Sequence, residues 1–193
     1  GSTAVGKRVG HAAIDNMTRF SLELGGKNPA IMLADVEVEQ AVAGALMGGM
    51  LNSGQVCAAS SRLYVHRSQF DAVSEAISAA VKGMSVGAGM DMTAQINPMT
   101  TLKHQTSVCR YLDIAKQQGA QIICGGGKAE RAGYFVEPTV IIGAAAHDTI
   151  MTEEVFGPVM AIVPFDTVDE AIALANDSVY GLAASLWTND LTA

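Results

Sequence analysis

The chain has 193 residues, of which 49% are hydrophobic and 16% are charged, and its formal net charge is -7. This composition predicts a compact soluble fold with one substantial core. The acidic balance and the absence of any run of lysines or arginines exclude a nucleic-acid-binding surface, which needs a basic stripe to contact phosphates.

Helices and strands alternate in the first third of the chain. In chain order, the spacing of apolar residues predicts a helix over residues 5–16, strands over 18–24 and 28–35, a helix over 36–51 and a strand over 61–66. The glycine pair Gly25 and Gly26 ends the first strand, because glycine favours a sharp turn. Asp35 is the predicted N-cap of the second helix.

The alternation continues to the end of the chain. In chain order, the predicted elements are helices over 68–84 and 100–119, strands over 120–126, 136–143 and 158–166, a helix over 167–178 and a strand over 181–188. Ser68 is the predicted cap of the first of these helices, and residues 125–134 are predicted to form an exposed loop. This order is typical of an α/β fold with a mostly parallel, twisted sheet and helices on both faces.

One uncharged stretch, from Gln40 to Ser61, is long enough to be compared with a membrane helix. Asn52 and the polar residues after it interrupt this stretch directly behind Leu51, which leaves an apolar segment too short to span a bilayer. The first residues, GSTAVGKRVGHAA, lack the apolar block of a signal peptide. We therefore expect no membrane partner.

The three cysteines are Cys57, Cys109 and Cys124, and no two of them form a CxxC pair. An odd number at wide spacing indicates neither a disulfide framework nor a metal site. We expect reduced thiols and a cytoplasmic protein. Cys109 lies in a helical pattern and Cys124 at a strand end, which favours structural roles for both.

Cys57 stands in the stretch NSGQVCAASSR, among small and hydroxyl-bearing residues. Two interpretations are open. A free cysteine is usually a small buried hydrophobe, but a thiol behind a helix end can be reactive, because nearby backbone amides stabilise a thiolate and an oxyanion.

A nucleophilic thiol needs a partner that handles protons. The four histidines fall at positions that the patterns predict to be exposed, which leaves Glu23, acting through water, as the candidate base. Glu23 ends the predicted strand 18–24, and α/β sheets bind ligands at the carboxyl ends of their strands. Gly25 and Gly26 would let such a ligand approach the backbone. Taken alone, Glu23 is more ordinarily a solvated or ion-paired carboxylate.

The N-terminal stretch GSTAVGKR nearly matches a phosphate-binding loop, with Gly1, Gly6 and Lys7 in place. The match fails at Arg8, where a serine or threonine should bind magnesium. A weaker reading keeps Ser2 and the amides of the helix start as contacts for the phosphates of a dinucleotide. The alternative is a plain capped helix.

Four motifs together carry a family resemblance. GSTAVG, LELGGKNP, NSGQVCAASSR and EEVFGPV, in this order and with Cys57 34 positions after Glu23, resemble the signature stretches of the NAD(P)-dependent aldehyde dehydrogenases. The resemblance covers essentially the whole chain. The stretches GQVCAASSR and AQINPM are similar to those of the phenylacetaldehyde dehydrogenase branch of the family.

The resemblance implies a Rossmann-like catalytic domain that oxidises an aldehyde, aromatic or arylalkyl, to the carboxylic acid. Cys57 would be the nucleophile that forms a thiohemiacetal and then a thioester, and Glu23 would activate the hydrolytic water. The implied cofactor is NAD, or NADP. The implied cofactor-binding residues are Gly1, Ser2, Gly6, Leu24, Gly25, Glu154 and Phe156.

In the family's pattern Ser2 meets the cofactor phosphates, Glu154 binds the hydroxyls of the nicotinamide ribose, and Phe156 packs near the nicotinamide ring. The alternative for EEVFGPV is a surface turn. The resemblance also implies that residues 1–23 trail from a dinucleotide-binding domain and that residues 24–193 form the catalytic domain, truncated at its C-terminus. The parent enzyme would be a homodimer or a homotetramer.

Two other functions stay open at this stage. The chain could be a folded module of such an enzyme that turns over nothing, because the segments expected to complete the cofactor site lie outside it. It could also be a non-catalytic binding or structural protein derived from the enzyme. The presence of both Cys57 and Glu23 counts against the second of these.

Overall fold

A six-stranded sheet forms the centre of the structure, a computed structural model that describes residues 1–190 and 192. The strands are β1 (Asn28–Met32), β2 (Ser60–His66), β3 (Gln121–Cys124), β4 (Thr139–Ile142), β5 (Val159–Phe165) and β6 (Ser185–Trp187). Their order in the sheet is β3-β4-β5-β2-β1-β6, and only β3 pairs antiparallel with its neighbour. The prediction of a mostly parallel sheet is confirmed.

In the part of the chain that the structure describes, six α-helices accompany the sheet. They are α1 (Thr3–Asp15), α2 (Val38–Met50), α3 (Phe70–Lys82), α4 (Leu102–Gln117), α5 (Thr149–Thr152) and α6 (Val168–Asn176). The patterns predicted all of them except α5, a single turn that is too short to show a period. Among the described residues, no helix is both long and apolar enough to cross a membrane.

Side chains alternate across the sheet and build two cores, one on each face. On one face Tyr64 and Ile141 pack with buried residues of α4 and α6. On the other face Leu63 and Val140 pack with buried residues of α2 and α3. Since neighbouring residues of a strand point to opposite faces, a sheet covered on both sides needs continuous apolar strands. Helices on both faces are therefore confirmed.

Two predicted helix caps are wrong. Asp35 does not cap α2, whose first residue follows Glu37; its carboxylate instead accepts hydrogen bonds from the Thr188 hydroxyl (2.9 Å) and the Asn189 amide (2.6 Å). Ser68 does not cap α3, because it lies in a 3-10 turn that ends one residue before Phe70. Asp35 therefore binds a distant segment and Ser68 lies in a local turn, so neither side chain caps the helix to which the pattern assigned it.

The predicted strand over residues 18–24 is also wrong. This segment has no regular secondary structure, because the described residues offer it no neighbouring strand, and an isolated strand cannot satisfy its backbone hydrogen-bonding groups. Its side chains lie against α1 instead. Phe20 contacts the position of Gly10, and Leu24 contacts the position of Gly6.

Arg62 ties the last helix to the sheet. Its side chain is buried, and its guanidinium donates to the carbonyl oxygen of Lys27 at 2.8 Å and to that of Ala175 at 2.9 Å. It also donates to the Leu174 carbonyl (3.2 Å), at the end of α6. A fixed fork of donors matches several carbonyls at once, and a positive charge is favourable at the C-terminus of a helix.

We predict that Arg62→Lys lowers the unfolding free energy by about 2 to 4 kcal/mol, because a lysine cannot reach all of these carbonyls and leaves some of them buried without a donor. Urea unfolding measures the change. Arg67→Lys is the matched control, since Arg67 makes its paired contact with Asp166 on the surface and should change stability little. Equal losses in the two variants would contradict the role given to Arg62.

Candidate active site

Six of the nine predicted site residues lie on three loops that enter the sheet at the amino ends of its strands, and the other three, Gly1, Ser2 and Gly6, lie at the start of α1. Glu23 precedes β1, Cys57 precedes β2, and Glu154 precedes β5. The expectation that Glu23 marks the carboxyl end of a strand is therefore wrong. It depended on a strand over 18–24, and without that strand the loops before β1, β2 and β5 meet at the amino edge of the sheet.

These loops enclose one cavity of about 620 Å³. Its lining residues are Gly1, Ser2, Glu23, Leu24, Gly25, Gln55, Val56, Cys57, Glu154 and Phe156. The structure thus brings together both predicted catalytic residues and every predicted cofactor-binding residue except Gly6. Gln55 and Val56 are additions that the sequence did not single out.

Gly6 does not line this cavity. It is buried on α1, and a Cβ atom at this position would lie 2.8 Å from the side chain of Leu24. The small residue therefore lets Leu24 pack on α1. Ser2 caps the same helix, where its hydroxyl accepts a hydrogen bond from the Val5 amide at 3.4 Å.

The loop that carries Cys57 begins with a strained turn. Asn52, Ser53 and Gly54 all have left-handed backbone conformations, with φ of 51°, 57° and 68°. Such conformations are costly for residues other than glycine and persist only where the surroundings fix them. Ser53 is fully buried and accepts a hydrogen bond from the Asn97 amide at 2.7 Å. The turn ends α2 abruptly and leaves Cys57 exposed beside the cavity.

Asn28 holds this loop from the sheet side. Its side-chain amide donates to the carbonyl oxygens of Cys57 (2.8 Å) and Ala59 (3.0 Å), and its side-chain oxygen accepts from the Ala183 amide (3.0 Å). Among residues 1–190 and 192, the Cys57 amide itself donates to no backbone carbonyl. That amide is free to donate to an oxyanion formed at the thiol.

The glycine pair brings Glu154 into the site. The Gly26 amide donates to Glu154 Oε1 at 3.2 Å, and a Cβ atom at Gly25 would overlap the same carboxylate. A Cβ atom at Gly26 would lie 2.5 Å from the carbonyl oxygen of Cys57. The glycines thus admit two other parts of the protein to the backbone, and the approach of a ligand at Gly25, which lines the cavity, stays a prediction.

Phe156 forms another wall of the cavity with an unusual backbone. Its φ is 57°, a left-handed value that is rare for a bulky residue, and 39% of its surface is exposed. Because of this conformation the ring turns towards the cavity while the preceding residue, Val155, stays in the core.

A buried lysine lies beneath the site. Lys27 is 2% exposed, and burial lowers its pKa from 10.5 to about 7, with a further lowering by Arg62 and opposing effects of Glu154 and Glu153. Glu153 accepts a hydrogen bond from the Tyr111 hydroxyl at 2.8 Å. Burial, and then this contact, raise the pKa of Tyr111 to about 12. A lysine inside a predicted turn gave no sign in the sequence that it would be buried.

The other two thiols differ from Cys57 in their surroundings. Cys109 and Cys124 are half-buried, and burial raises the pKa of each. At neutral pH each of them therefore carries less thiolate than a cysteine of ordinary pKa, which agrees with the structural roles predicted for them. Among the residues that the structure describes, no group of three or more His, Cys, Asp or Glu side chains could hold a metal ion.

The arrangement can perform thiol chemistry next to a nucleotide-like ligand. An exposed thiol and a carboxylate face one cavity, and the start of helix α1 borders it. A thiol nucleophile beside a carboxylate base suits acyl chemistry, and a helix N-terminus suits phosphate groups. A second carboxylate and an aromatic ring, from Glu154 and Phe156, offer a polar and an apolar contact to the same ligand.

Comparison with known families gives one match over the whole chain: the model of the aldehyde dehydrogenase family covers residues 1–193. Among curated proteins, phenylacetaldehyde dehydrogenase of Pseudomonas fluorescens is 43% identical over 195 residues, covering 100% of this chain and 39% of that protein. The protein DhaS of Bacillus subtilis (strain 168) is 42% identical over 191 residues, covering 99% of this chain and 39% of its own length.

Solved structures agree with this match. The NAD+ complex of aldehyde dehydrogenase from Bacillus cereus superposes with a TM-score of 0.97 at 41% identity, over 100% of this chain and 39% of that one. The aldehyde dehydrogenase of Mycobacterium tuberculosis complexed with NAD+ gives a TM-score of 0.95 at 43% identity, over 100% and 40%. The chain thus spans about two fifths of the length of these relatives.

We predict that Lys27 makes stability depend on pH. Between about pH 7 and pH 10.5 the unfolded chain binds a proton at this lysine that the folded chain does not. The unfolding free energy therefore rises with pH in this window, by at most about 1.4 kcal/mol per pH unit, and below it the contribution is constant.

The test is urea unfolding of the wild type and Lys27→Met from pH 6 to pH 10. The wild-type curve minus the variant curve should be flat below about pH 7 and should rise above it. Lys103→Met, at an exposed position, should give a curve parallel to the wild type. Parallel curves for Lys27→Met as well would mean that Lys27 is not held as a buried, largely uncharged amine.

Proposed function

Because the chain belongs to the aldehyde dehydrogenase family, we propose that the protein containing it oxidises an aldehyde to the carboxylic acid with NAD, or NADP. The proposal concerns the whole protein, since the chain spans only 39% of the length of its curated relatives. The observation that carries it is the shared cavity: Cys57, Glu23 and Glu154 arrive on three separate loops and line the same space.

Cys57 is the proposed nucleophile. Its thiolate adds to the aldehyde carbonyl, and the oxygen that becomes negative receives a hydrogen bond from the free Cys57 amide. Loss of the hydride from this adduct leaves a thioester on Cys57. Glu23 then takes a proton from a water molecule, which attacks the thioester, releases the acid and restores the thiol.

The residues around the cavity fit a dinucleotide. The start of α1 at Ser2 suits its phosphates, the Glu154 carboxylate suits ribose hydroxyls, and Leu24 and Phe156 provide apolar contacts. Gly1 and Gly25 complete the same wall. When bound, the cofactor supplies the hydride acceptor. The relatives solved with NAD+ support this assignment.

We propose an aromatic or arylalkyl aldehyde as the substrate. The sequences of the stretches GQVCAASSR and AQINPM and the 43% identity to phenylacetaldehyde dehydrogenase support this proposal. Leu24, Val56 and Phe156 add apolar surface beside Cys57. Betaine aldehyde dehydrogenases are similar relatives too, at 37% identity for that of Rhizobium johnstonii, so the substrate has to be tested against a cationic aldehyde.

We also propose that residues 1–23 belong to the cofactor-binding domain and that the catalytic domain begins at Leu24. The segment carries several exposed apolar side chains, which suits a surface that packs on further protein. They are Val5, Val9, Ile14, Met17, Phe20 and Leu22. A dimer or tetramer and a cytoplasmic location stay predictions; light scattering of the purified protein tests the first.

We predict that Cys57→Ala abolishes aldehyde oxidation, because no other thiol lines the cavity. Glu23→Gln should lower steady-state turnover by roughly 100-fold to 10,000-fold, the usual contribution of a general base. It should leave a burst of about one NADH per site, since only the hydrolysis of the thioester is slowed. Stopped-flow absorbance of NADH measures both phases.

Cys109→Ala and Cys124→Ala are the matched controls and should keep their activity, since both thiols lie away from the cavity. Full turnover in Glu23→Gln would exclude Glu23 as the base. Activity in Cys57→Ala would exclude the covalent mechanism.

For the substrate, we predict a kcat/KM for phenylacetaldehyde at least tenfold above that for betaine aldehyde. Burial of the phenyl ring against the apolar wall is favourable, whereas a quaternary ammonium group must lose water to enter the same cavity, and tenfold corresponds to about 1.4 kcal/mol. Initial rates of NADH formation at several concentrations of each aldehyde give the comparison. The reverse preference would overturn the arylalkyl assignment and leave the enzyme class intact.

A further inference from the structure

His104 lies outside the residues assigned so far, yet it contacts one of them directly. Its Nε2 atom is 2.7 Å from the carbonyl oxygen of Phe156. Because a carbonyl oxygen only accepts, Nε2 carries the proton and donates it. The two rings also pack on each other, tilted by 31° with centroids 5.9 Å apart. Both the backbone and the ring of Phe156 therefore meet the same histidine.

The backbone of Phe156 needs such a contact. Its φ of 57° is a conformation that the surroundings must fix, because it is unfavourable by itself for a bulky residue. Val155 anchors one side in the core. On the other side Gly157 lies against α4, where a Cβ atom would come within 2.9 Å of Val108. Val108 and His104 are one helical turn apart, so one face of α4 contacts both residues.

The first turn of α4 is itself held in place. The Thr101 hydroxyl accepts a hydrogen bond from the His104 amide at 3.2 Å and caps the helix. The segment before it contacts the loop of Cys57: the Thr100 hydroxyl donates to Gln55 Oε1 at 3.1 Å, and the Asn97 amide donates to the Ser53 hydroxyl at 2.7 Å. The start of α4 thus braces the loop before β2 and the loop before β5 together.

We propose that His104 is a positioning residue: its Nε2 hydrogen bond to the Phe156 carbonyl, with the packing of its ring, holds Phe156 at the cavity wall where the nicotinamide end of the cofactor binds. The inference rests on the proposed function, because it gives the held ring a role in cofactor binding. His104 does not itself line the cavity, and Phe156 is the lining residue that it contacts, so we place its action at Phe156.

The test compares His104→Ala with His104→Gln in the whole protein. Glutamine places a side-chain N–H close to where the histidine Nε2 stands and can restore the hydrogen bond, whereas alanine cannot. Lys103→Ala is the control for a change in the same helical turn, since Lys103 is exposed. Hydrogen exchange of the peptide spanning 153–159 and titration with NADH and with ADP-ribose are measured for each protein.

We expect His104→Ala to speed exchange in this peptide and to weaken NADH binding, each by about threefold to tenfold, the effect of losing one hydrogen bond. ADP-ribose, which lacks the nicotinamide, should bind as in the wild type, and iodoacetamide should alkylate Cys57 at the wild-type rate. His104→Gln should restore most of the slow exchange and most of the NADH affinity. Lys103→Ala should change neither the exchange nor the affinity.

Unchanged exchange in His104→Ala would overturn the inference, because Phe156 would then be held without the histidine. Faster exchange with unchanged NADH binding would overturn it too, since the contact would be structural only. If the binding of NADH and the binding of ADP-ribose weakened equally, the effect would lie away from the nicotinamide end of the cofactor, which would also overturn the inference. If the wild type neither binds NADH nor oxidises aldehydes, the proposed function fails first and the cofactor role of His104 with it.

Discussion

The site depends on the close approach of three loops at residues 25–28. Gly25 and Gly26 have no side chains, and that absence lets the Glu154 carboxylate and the Cys57 carbonyl reach the same short segment. Asn28 then fixes the Cys57 loop with two hydrogen bonds. Any side chain at the glycine pair would separate the loops, and because cores are close-packed they could not simply slide to make room.

This contact also joins the site to the fold beneath it. The Lys27 carbonyl accepts from Arg62, which in turn holds the end of α6, while the Lys27 side chain is buried close to the charges of Glu153 and Glu154. Binding residues on the loops therefore rest on a layer of buried polar groups. A buried polar group left without its partner costs more than a surface one, so this layer gives the loops one well-defined arrangement.

The sequence was most informative where a pattern is local. The apolar periods predicted the sheet class and five helices. Of the nine site residues that the motifs predicted, eight line the cavity, because each motif carries its own turn chemistry. It failed where the outcome depends on a distant partner. Strand 18–24 found no neighbour, and Asp35 bonded to Thr188 rather than to α2. The role of Asn28 was invisible for the same reason: its partners Cys57 and Ala183 are remote in the chain.

The placement of the histidines decides how protons are handled in this site. No histidine lines the cavity, and the one that comes near, His104, uses its ring nitrogen to hold the Phe156 carbonyl. A cysteine paired with a histidine can draw its thiolate from that base, but Cys57 has no such neighbour. In the proposed mechanism water activation therefore falls to the exposed carboxylate of Glu23, which reaches the cavity on a different loop from Cys57. A carboxylate that acts as a base through water needs room for that water between itself and the acylated thiol, and the cavity of about 620 Å³ offers this room.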